Sequence, residues 1–187
     1  MKAVKVTLLG LALLIAMPLL AQDTQSVVDA SGTYTVTRIT AGGAPEYFHG
    51  GNGTLIYNLG NYLGVVGDFG AGHDGDTFFS GTTVTYLGGA RIHTNTRWDL
   101  FAEGLLGGAH ISITPTGGNT VSKNAFAWKL GGGLDYRLTP MISIRLIQAD
   151  YLGTRFNNGK NNGFGNSNTQ NNLQVAAGVV FHFGSRK

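Results

Sequence analysis

The chain has 187 residues, of which 30 are glycine, 12% are charged and none is cysteine. This length fits one domain, and the charged fraction is about half of what soluble domains usually carry. The absence of cysteine excludes a disulfide framework, a thiolate metal site and an acylated N-terminal cysteine. The formal charge of +3 falls to +1 without Lys2 and Lys5, and no basic block is present. The sequence therefore predicts no nucleic-acid partner.

The first 21 residues have the pattern of an export signal. Lys2 and Lys5 form a short basic start, residues 6–20 are almost uniformly apolar, and Ala21 is a plausible cleavage point before Gln22. The apolar run is short for a helix that must span a bilayer with about 20 residues. This favours a cleaved signal peptide, residues 1–21, over a membrane anchor.

Eight segments further along the chain have strand character, and the last of them shows it most clearly. Alternate side chains of a strand point to opposite faces. In the last segment one face carries Leu173, Val175, Ala177, Val179, Phe181 and Phe183, and the other is small or polar. The eight predicted strands are Thr33–Ile39, Gly53–Leu59, Tyr62–Gly72, Thr82–His93, Arg97–Ile113, Asn124–Arg137, Met141–Leu152 and Asn172–Phe183.

The predicted connections alternate between long and short. Short turns on one side and long loops on the other are typical of an eight-stranded antiparallel up-and-down transmembrane β-barrel, whose first strand pairs with its last because lipid tolerates no open edge. Both termini then lie in the periplasm, with residues 22–32 as a tail and 33–187 as the barrel domain. A soluble eight-stranded barrel such as a lipocalin is the alternative. The predicted long loops are Ala41–Asn52, His73–Ser80, Thr114–Lys123 and Thr154–Gln170.

Four stretches resemble the small outer-membrane β-barrel family, the OmpA-type or porin-family eight-stranded barrels of Gram-negative bacteria. They are Leu59–Phe69, Phe101–Gly107, Gly131–Arg145 and Val179–Phe183. The resemblance implies insertion into the outer membrane by the barrel-assembly machinery. Val179, Phe181 and Phe183 would then form the C-terminal insertion signal.

The strand parity predicts a charged barrel interior. An eight-stranded barrel is only wide enough for its own side chains, and buried charges need partners. We therefore expect a plug of ion pairs, with a narrow channel for small solutes as the alternative. Glu103, Asp68 and Arg145 should lie near mid-height, with Arg91, Asp135 and Arg137 nearer the periplasm and a bulge near Ile147–Gln148. The predicted interior residues are Asp68, Arg91, Glu103, Lys129, Asp135, Arg137 and Arg145.

Aromatic side chains on the apolar rows are candidates for the girdles that anchor a barrel at the two membrane interfaces. They are Tyr57, Tyr62, Tyr86, Trp98, Trp128 and Tyr136.

Two short motifs raise the question of chemistry. His110 and Ser112 resemble the pair used by outer-membrane lipid A deacylases, but Asn124 to Trp128 on the adjoining strand offers no carboxylate to orient the histidine.

Residues 73–76, with His49, could hold a metal at the outer surface, although such loop residues more often make turns. We therefore predict neither an enzyme nor a metal or cofactor site. The expected partners are outer-membrane lipids and ligands of the outer loops, including the Asn- and Gly-rich Phe156–Asn168.

Overall fold

A computed structural model of the protein describes residues 26–41, 44–75, 79–115, 120–156 and 169–184. The predicted signal peptide, residues 1–21, lies outside the described residues. The described residues form eight strands: β1 (Val28–Ala41), β2 (Ala44–Asn58), β3 (Leu63–Gly75), β4 (Phe79–His93), β5 (Trp98–Pro115), β6 (Val121–Thr139), β7 (Ile142–Phe156) and β8 (Thr169–Phe183).

The strands form one closed antiparallel barrel in sequence order. β1 pairs with β2 on one side and with β8 on the other, from Val28 opposite Phe183 to Arg38 opposite Leu173. The predicted fold class is therefore confirmed. In the part of the chain that the structure describes, no helix is long and apolar enough to cross a membrane.

The two faces of the barrel wall follow the alternation in the sequence. On β8, Leu173 is 50% exposed and Val175 is 42% exposed, whereas the intervening row includes Asn172 at 4% and Val180 at 1%. The other strands repeat this alternation of exposed and buried residues, with large apolar side chains on the outside. Inside, polar and charged side chains lie beside a buried apolar cluster of Ile56, Val66, Leu87, Leu105, Ala109, Ala127 and Leu152. The apolar row is the surface that faces lipid.

The predicted long loops are wrong in extent, because three of the four outer connections are short. Strand pairing continues to Ala41 opposite Ala44, and to Gly75 opposite Ser80. The strands therefore take up most of the residues assigned to loops. Glycine and polar residues hid these strand ends, because they carry no apolar alternation. The connections away from the chain termini are residues 42–43, 76–78, 116–120 and 157–168.

The first strand is also longer than predicted, and the predicted bulge is present. β1 begins at Val28, inside the stretch predicted as a periplasmic tail, and its first residue is already paired with Tyr57. The bulge expected near Ile147–Gln148 is present. Asp135 pairs with Arg145 while Leu134 pairs with Ile147, so Leu146 is the extra residue.

Both described chain ends lie at one end of the barrel, beside the short connections 59–62, 94–97 and 140–141. We call this end the periplasmic end, following the expectation from the sequence that both termini lie in the periplasm. The opposite end, which carries the longest connection, residues 157–168, is then the outer end.

The facing of β8 gives a testable prediction. Ala177 lies at the centre of the lipid-facing row and Asn171 at its outer end. Ala177→Arg should lower the free energy of unfolding by about 2–4 kcal/mol, because the bilayer midplane does not solvate a cation, whereas Asn171→Arg should cost about 0–1 kcal/mol. Urea titration of the protein folded in lipid vesicles measures both. Equal losses for the two variants would contradict the assigned depth.

Candidate functional site

The interior of the barrel holds most of the buried charge of the described residues. Six of the seven predicted interior residues are buried: Asp68, Arg91, Glu103, Lys129, Asp135 and Arg145. The seventh, Arg137, is partly exposed. Each sits on the row that alternates with the lipid-facing one, so the wall of the barrel brings them together from five strands, β3 to β7.

A continuous chain of hydrogen bonds links four of these residues through Gln148. Arg91 Nε and Nη2 donate to Glu103 Oε2 at 3.0 and 2.6 Å, and Gln148 Nε2 donates to Glu103 Oε1 at 3.0 Å. Gln148 Oε1 accepts from Arg145 Nη1 at 2.8 Å. Arg145 in turn binds both carboxylate oxygens of Asp135, at 2.8 and 3.0 Å. Charge-assisted, two-pronged bonds of this kind are the strongest that side chains make.

The two arginines of this chain both lie over one aromatic ring. The guanidinium carbons of Arg91 and Arg145 lie 4.0 and 4.5 Å from the ring centre of Phe101. Phe101 is 6% exposed and points into the barrel from β5. The two guanidinium groups can therefore lie close together in the lumen. Each has a carboxylate partner, and the ring of Phe101 attracts both through cation–π interactions.

A second ion pair crosses the lumen. Lys129 Nζ on β6 lies 2.8 Å from Asp68 Oδ1 on β3, three strands away around the barrel. The other carboxylate oxygen of Asp68 accepts from Asn52 Nδ2 at 2.6 Å and from Thr54 Oγ1 at 3.2 Å. All four side chains belong to buried residues, so the pair is fully enclosed by partners from the barrel wall.

The pairing differs from the grouping that the sequence suggested. Arg91, expected with Asp135 and Arg137 near the periplasm, instead binds Glu103, because β4 and β5 place the two directly opposite each other. Arg137 donates to Asn95 Oδ1 at 3.2 Å, beside the periplasmic turn. The register between strands decides these partners, and a single strand's sequence does not contain it.

Sequence reasoning missed Asp150 and Gln148, two buried polar residues that follow the bulge on β7. Gln148 Nε2 also donates to Asp150 Oδ2 at 2.8 Å, while Asp150 Oδ1 has no partner. No cation among the described residues lies within ion-pair distance of Asp150. The extra residue Leu146 shifts the alternation of inward and outward residues on β7 by one, so the pattern of the first half of the strand assigns both residues wrongly. The alternation from Gln148 to Leu152, taken alone, indicates that Asp150 points inward.

A separate cluster joins the closing strands at the periplasmic end. His182 Nε2 and Ser143 Oγ are 2.7 Å apart, and His182 Nδ1 lies 2.7 Å from Asp29 Oδ1. Asn58 Nδ2 donates to Asp29 Oδ2 at 2.8 Å. The order of groups is that of a nucleophile, a base and an acid, but Ser143 is only 3% exposed. The cluster therefore links β7, β8, β1 and β2 where the barrel closes.

The outward rows hold the predicted girdle and insertion residues. Tyr57, Tyr62, Tyr86 and Trp98 are about half exposed or more, and Trp128 and Tyr136 are partly exposed. Trp98 packs on Tyr136 at the periplasmic end, with ring centres 4.6 Å apart. In the outer half, the rings of Tyr86 and Trp128 lie where a side chain at Gly108 or Gly153 would have to go.

The insertion residues lie on the same lipid-facing surface. Val179 is 37% exposed and Phe181 is 43% exposed, and Phe183 is partly exposed at the periplasmic end of β8.

The outer half of the lipid-facing surface carries a polar chain on β5 and β6. Ser112 Oγ lies 3.3 Å from His110 Nε2, and His110 Nδ1 lies 2.7 Å from Asn124 Oδ1. Ser122 Oγ is 2.9 Å from Ser112 Oγ. The amide oxygen of Asn124 thus lies where a catalytic histidine would need a carboxylate to orient it. Because this oxygen accepts a hydrogen bond from Nδ1–H, Nε2 of His110 is left to accept from Ser112.

The metal motif shows a different arrangement. His49 and His73 face each other across β2 and β3, but Tyr34 OH lies 2.7 Å from His49 Nδ1, and Thr82 Oγ1 lies 3.3 Å from His73 Nδ1. In the described segments no group of three acidic, histidine or cysteine side chains could hold a metal ion. Asp76 and residues 157–168 of the predicted ligand-binding loop Phe156–Asn168 lie outside the described residues.

The interior chain gives a second prediction. Arg91→Met should lower the free energy of unfolding by about 3–5 kcal/mol, because Glu103 stays buried without its cation. Adding Glu103→Leu to this variant should restore part of the loss. Arg155→Met, which alters an exposed arginine, should change stability by less than about 0.5 kcal/mol. Urea titration in vesicles measures all three, and a loss shared by both arginine variants would exclude a special role for the Arg91–Glu103 pair.

Comparison with known proteins identifies the class of this barrel. No curated protein sequence matches the chain. The crystal structure of Ail, the attachment invasion locus protein of Yersinia pestis, is 18% identical, with a TM-score of 0.58 over 84% of this chain and 99% of Ail. The Neisserial surface protein A, NspA, is 15% identical, with a TM-score of 0.63 over 84% of this chain and 98% of NspA. These likenesses show the fold. The family model described as the outer membrane protein beta-barrel domain matches residues 7–183, and the chain therefore belongs to this family of outer-membrane β-barrels.

Proposed function

We propose that the protein is a non-enzymatic integral barrel of the outer membrane, with an interior closed by its own side chains and a structural or surface-interaction role. The observation that carries this proposal is the unbroken chain from Arg91 through Glu103, Gln148 and Arg145 to Asp135. With the Lys129–Asp68 pair, it fills the middle of a lumen that is only wide enough for side chains.

The hydrogen bonds between the interior side chains also support a closed interior. A solute that passed between Lys129 and Asp68, or past Gln148, would have to break hydrogen bonds between buried charged groups. Removing one member of a buried pair costs about 3–5 kcal/mol. The network is thus a barrier as well as a source of stability, in contrast to the weakly bound, water-filled lining of a conducting pore.

The reach of the strands supports a surface role. About 9–11 residues suffice for a tilted strand to cross the bilayer, but the strands here have 13 to 19 residues. Their outer ends therefore project beyond the membrane and offer a rigid surface to extracellular ligands. The similar structures include an attachment invasion locus protein and a surface protein, which fits such a role.

The remaining partners follow from this location. We propose that residues 1–21 direct export and are cleaved, and that Val179, Phe181 and Phe183 are bound by the barrel-assembly machinery during insertion. The six girdle aromatics then contact outer-membrane lipid at the two interfaces.

Planar bilayer recordings test the closed interior against the alternative of a narrow channel for small solutes. The wild-type protein should show no steady openings, because the Lys129–Asp68 pair and the Gln148 network block the lumen. A Lys129→Ala, Asp68→Ala double variant should conduct more, since it removes an ion pair that reaches across the lumen. Steady wild-type openings would overturn the closed interior and favour the channel.

A second candidate function rests on Ser112, His110 and Asn124. Their hydrogen bonds place a hydroxyl, a base and an orienting group in series, on the lipid-facing surface where acyl esters of the outer leaflet lie. Ser112 would attack an acyl carbonyl while His110 Nε2 takes the hydroxyl proton. His110 would then return the proton to the departing alcohol, and water would release the acyl group. An amide replaces the usual carboxylate, as it does in some cysteine proteases.

Replacement of Ser112 separates this candidate from the first. If the site hydrolyses lipid A esters, Ser112→Ala should abolish the change in lipid A acylation that wild-type protein causes, and Asn124→Asp should accelerate it by stabilising the imidazolium. Ser122→Ala serves as the control. Mass spectrometry of lipid A from the host envelope is the measurement, and an acylation pattern that is the same with and without wild-type protein rules the candidate out.

A further inference from the structure

Asp150 is a buried carboxylate in the middle of the lumen that has no cation partner among the described residues. Its side chain points inward from β7, and the residue is 1% exposed. The other buried carboxylates around it each form an ion pair with one cation: Asp68 with Lys129, Glu103 with Arg91 and Asp135 with Arg145. The middle of the described lumen therefore contains one carboxylate more than it has cations.

The two oxygens of this carboxylate have different surroundings. Oδ2 accepts a hydrogen bond from Gln148 Nε2 at 2.8 Å, whereas Oδ1 has no hydrogen-bond partner. Oδ1 of Asp150 lies against the backbone of Gly131 on β6, in the space that a side chain at this glycine would occupy. On the other side, Gln174 of β8 is opposite Asp150, but its Nε2 donates to Thr37 Oγ1 on β1. Within the described chain, no donor thus stabilises a negative charge on Oδ1.

The charged groups around Asp150 do not compensate it either. Lys129 on β6, Glu103 on β5 and Asp68 on β3 act on it electrostatically. Lys129 Nζ is already bound to Asp68 Oδ1 at 2.8 Å, and the two carboxylates repel a further negative charge. Gln148 Nε2 donates to both Glu103 and Asp150, so a single neutral amide joins these two acids. An ionised Asp150 would therefore be an unpaired charge in a dry lumen.

We propose that Asp150 is a proton-binding site of the barrel interior. Its carboxyl group is neutral in mildly acidic medium, with the proton on Oδ1, and it releases this proton as the medium becomes alkaline. A buried neutral hydroxyl is much less costly than a buried carboxylate without a partner, even where the hydroxyl lacks an acceptor. The proton thus balances the charge that the three cations leave unmatched.

Release of the proton makes the stability of the barrel depend on pH. The ionised Asp150 is a second negative charge on the amide that also binds Glu103, whereas the unfolded chain exposes the same carboxylate to water. The folded barrel therefore binds more protons at this site than the unfolded chain does. The stabilising effect of the proton is complete below the ordinary aspartate pKa of about 3.9 and is lost as the pH rises, by up to about tenfold in the unfolding equilibrium per pH unit.

Carboxyl ¹³C signals of the wild-type protein in nanodiscs test the proposal directly. Protein with ¹³C-labelled aspartate carboxyl groups is titrated from about pH 4, near the ordinary aspartate pKa, to about pH 9. The signal of Asp150 is identified by its absence from Asp150→Asn. It should remain in the protonated position at about pH 5 and move to the ionised position above it, whereas the signal of Asp135 should already be ionised at that pH.

Two aspartate-to-asparagine variants supply a matched comparison of stability. Asp150→Asn has the shape of the neutral acid, and its carbonyl oxygen can still accept from Gln148. Its stability relative to wild type should therefore increase about tenfold or more, as a ratio of unfolding equilibrium constants, between about pH 5 and about pH 8. Asp135→Asn leaves Arg145 without its ion pair and should raise the unfolding constant about tenfold or more at both pH values. Urea titration in lipid vesicles measures the constants, and heat-modifiable migration verifies that each variant forms the barrel.

The opposite results would overturn the proposal. An Asp150 signal that is already ionised at about pH 5 shows that the folded barrel compensates the charge. A ratio between Asp150→Asn and wild type that stays constant with pH leads to the same conclusion. A loss of stability in Asp150→Asn as large as that in Asp135→Asn shows that the lumen requires Asp150 as an anion. None of these outcomes depends on whether the barrel conducts ions or binds ligands at its surface.

Discussion

The structure depends on the pairing of β1 with β8. In hydrocarbon every backbone N–H and C=O group must bind within the protein, so a sheet with two free edges cannot exist there. The ladder from Val28–Phe183 to Arg38–Leu173 removes both edges. At the periplasmic end, the side chains of Ser143, His182 and Asp29 continue the same connection across the seam.

Closure of only eight strands imposes the character of the interior. The lumen is narrow, so inward residues meet one another, and most charged groups there are paired with an opposite charge. Gln148 shows how finely this is arranged. The bulge at Leu146 turns Gln148 inward, where its amide donates to both Glu103 and Asp150 and its carbonyl accepts from Arg145. One extra residue in β7 thus completes a network that spans four strands.

The outer half of the barrel differs in chemistry from the middle. Lipid-facing apolar side chains give way to the polar chain of Ser112, His110 and Asn124 outside, and the charged lumen gives way to a neutral cavity inside. Both lie toward the outer ends of strands that have 13 to 19 residues. The outer half of the described barrel thus carries neutral polar groups on both sides of its wall.

The sequence by itself determined the strand number, the antiparallel closed barrel and the facing of residues such as Asp68 and Glu103. The reason is that the alternation of apolar and polar residues is visible within each strand, without knowledge of its neighbours. Only the tertiary structure decided which charges meet, as when Arg91 joins Glu103 and Lys129 reaches Asp68, because register relates residues far apart in the chain. Strand ends that consist of glycine and small or polar residues lack a clear apolar alternation. The sequence therefore predicted β1 and the outer hairpins to be shorter than they are, and it did not identify Asp29 as an interior residue. The sequence did not identify Asp150 as an inward residue, because the extra residue at the bulge exchanges the inward and outward positions that follow it on β7.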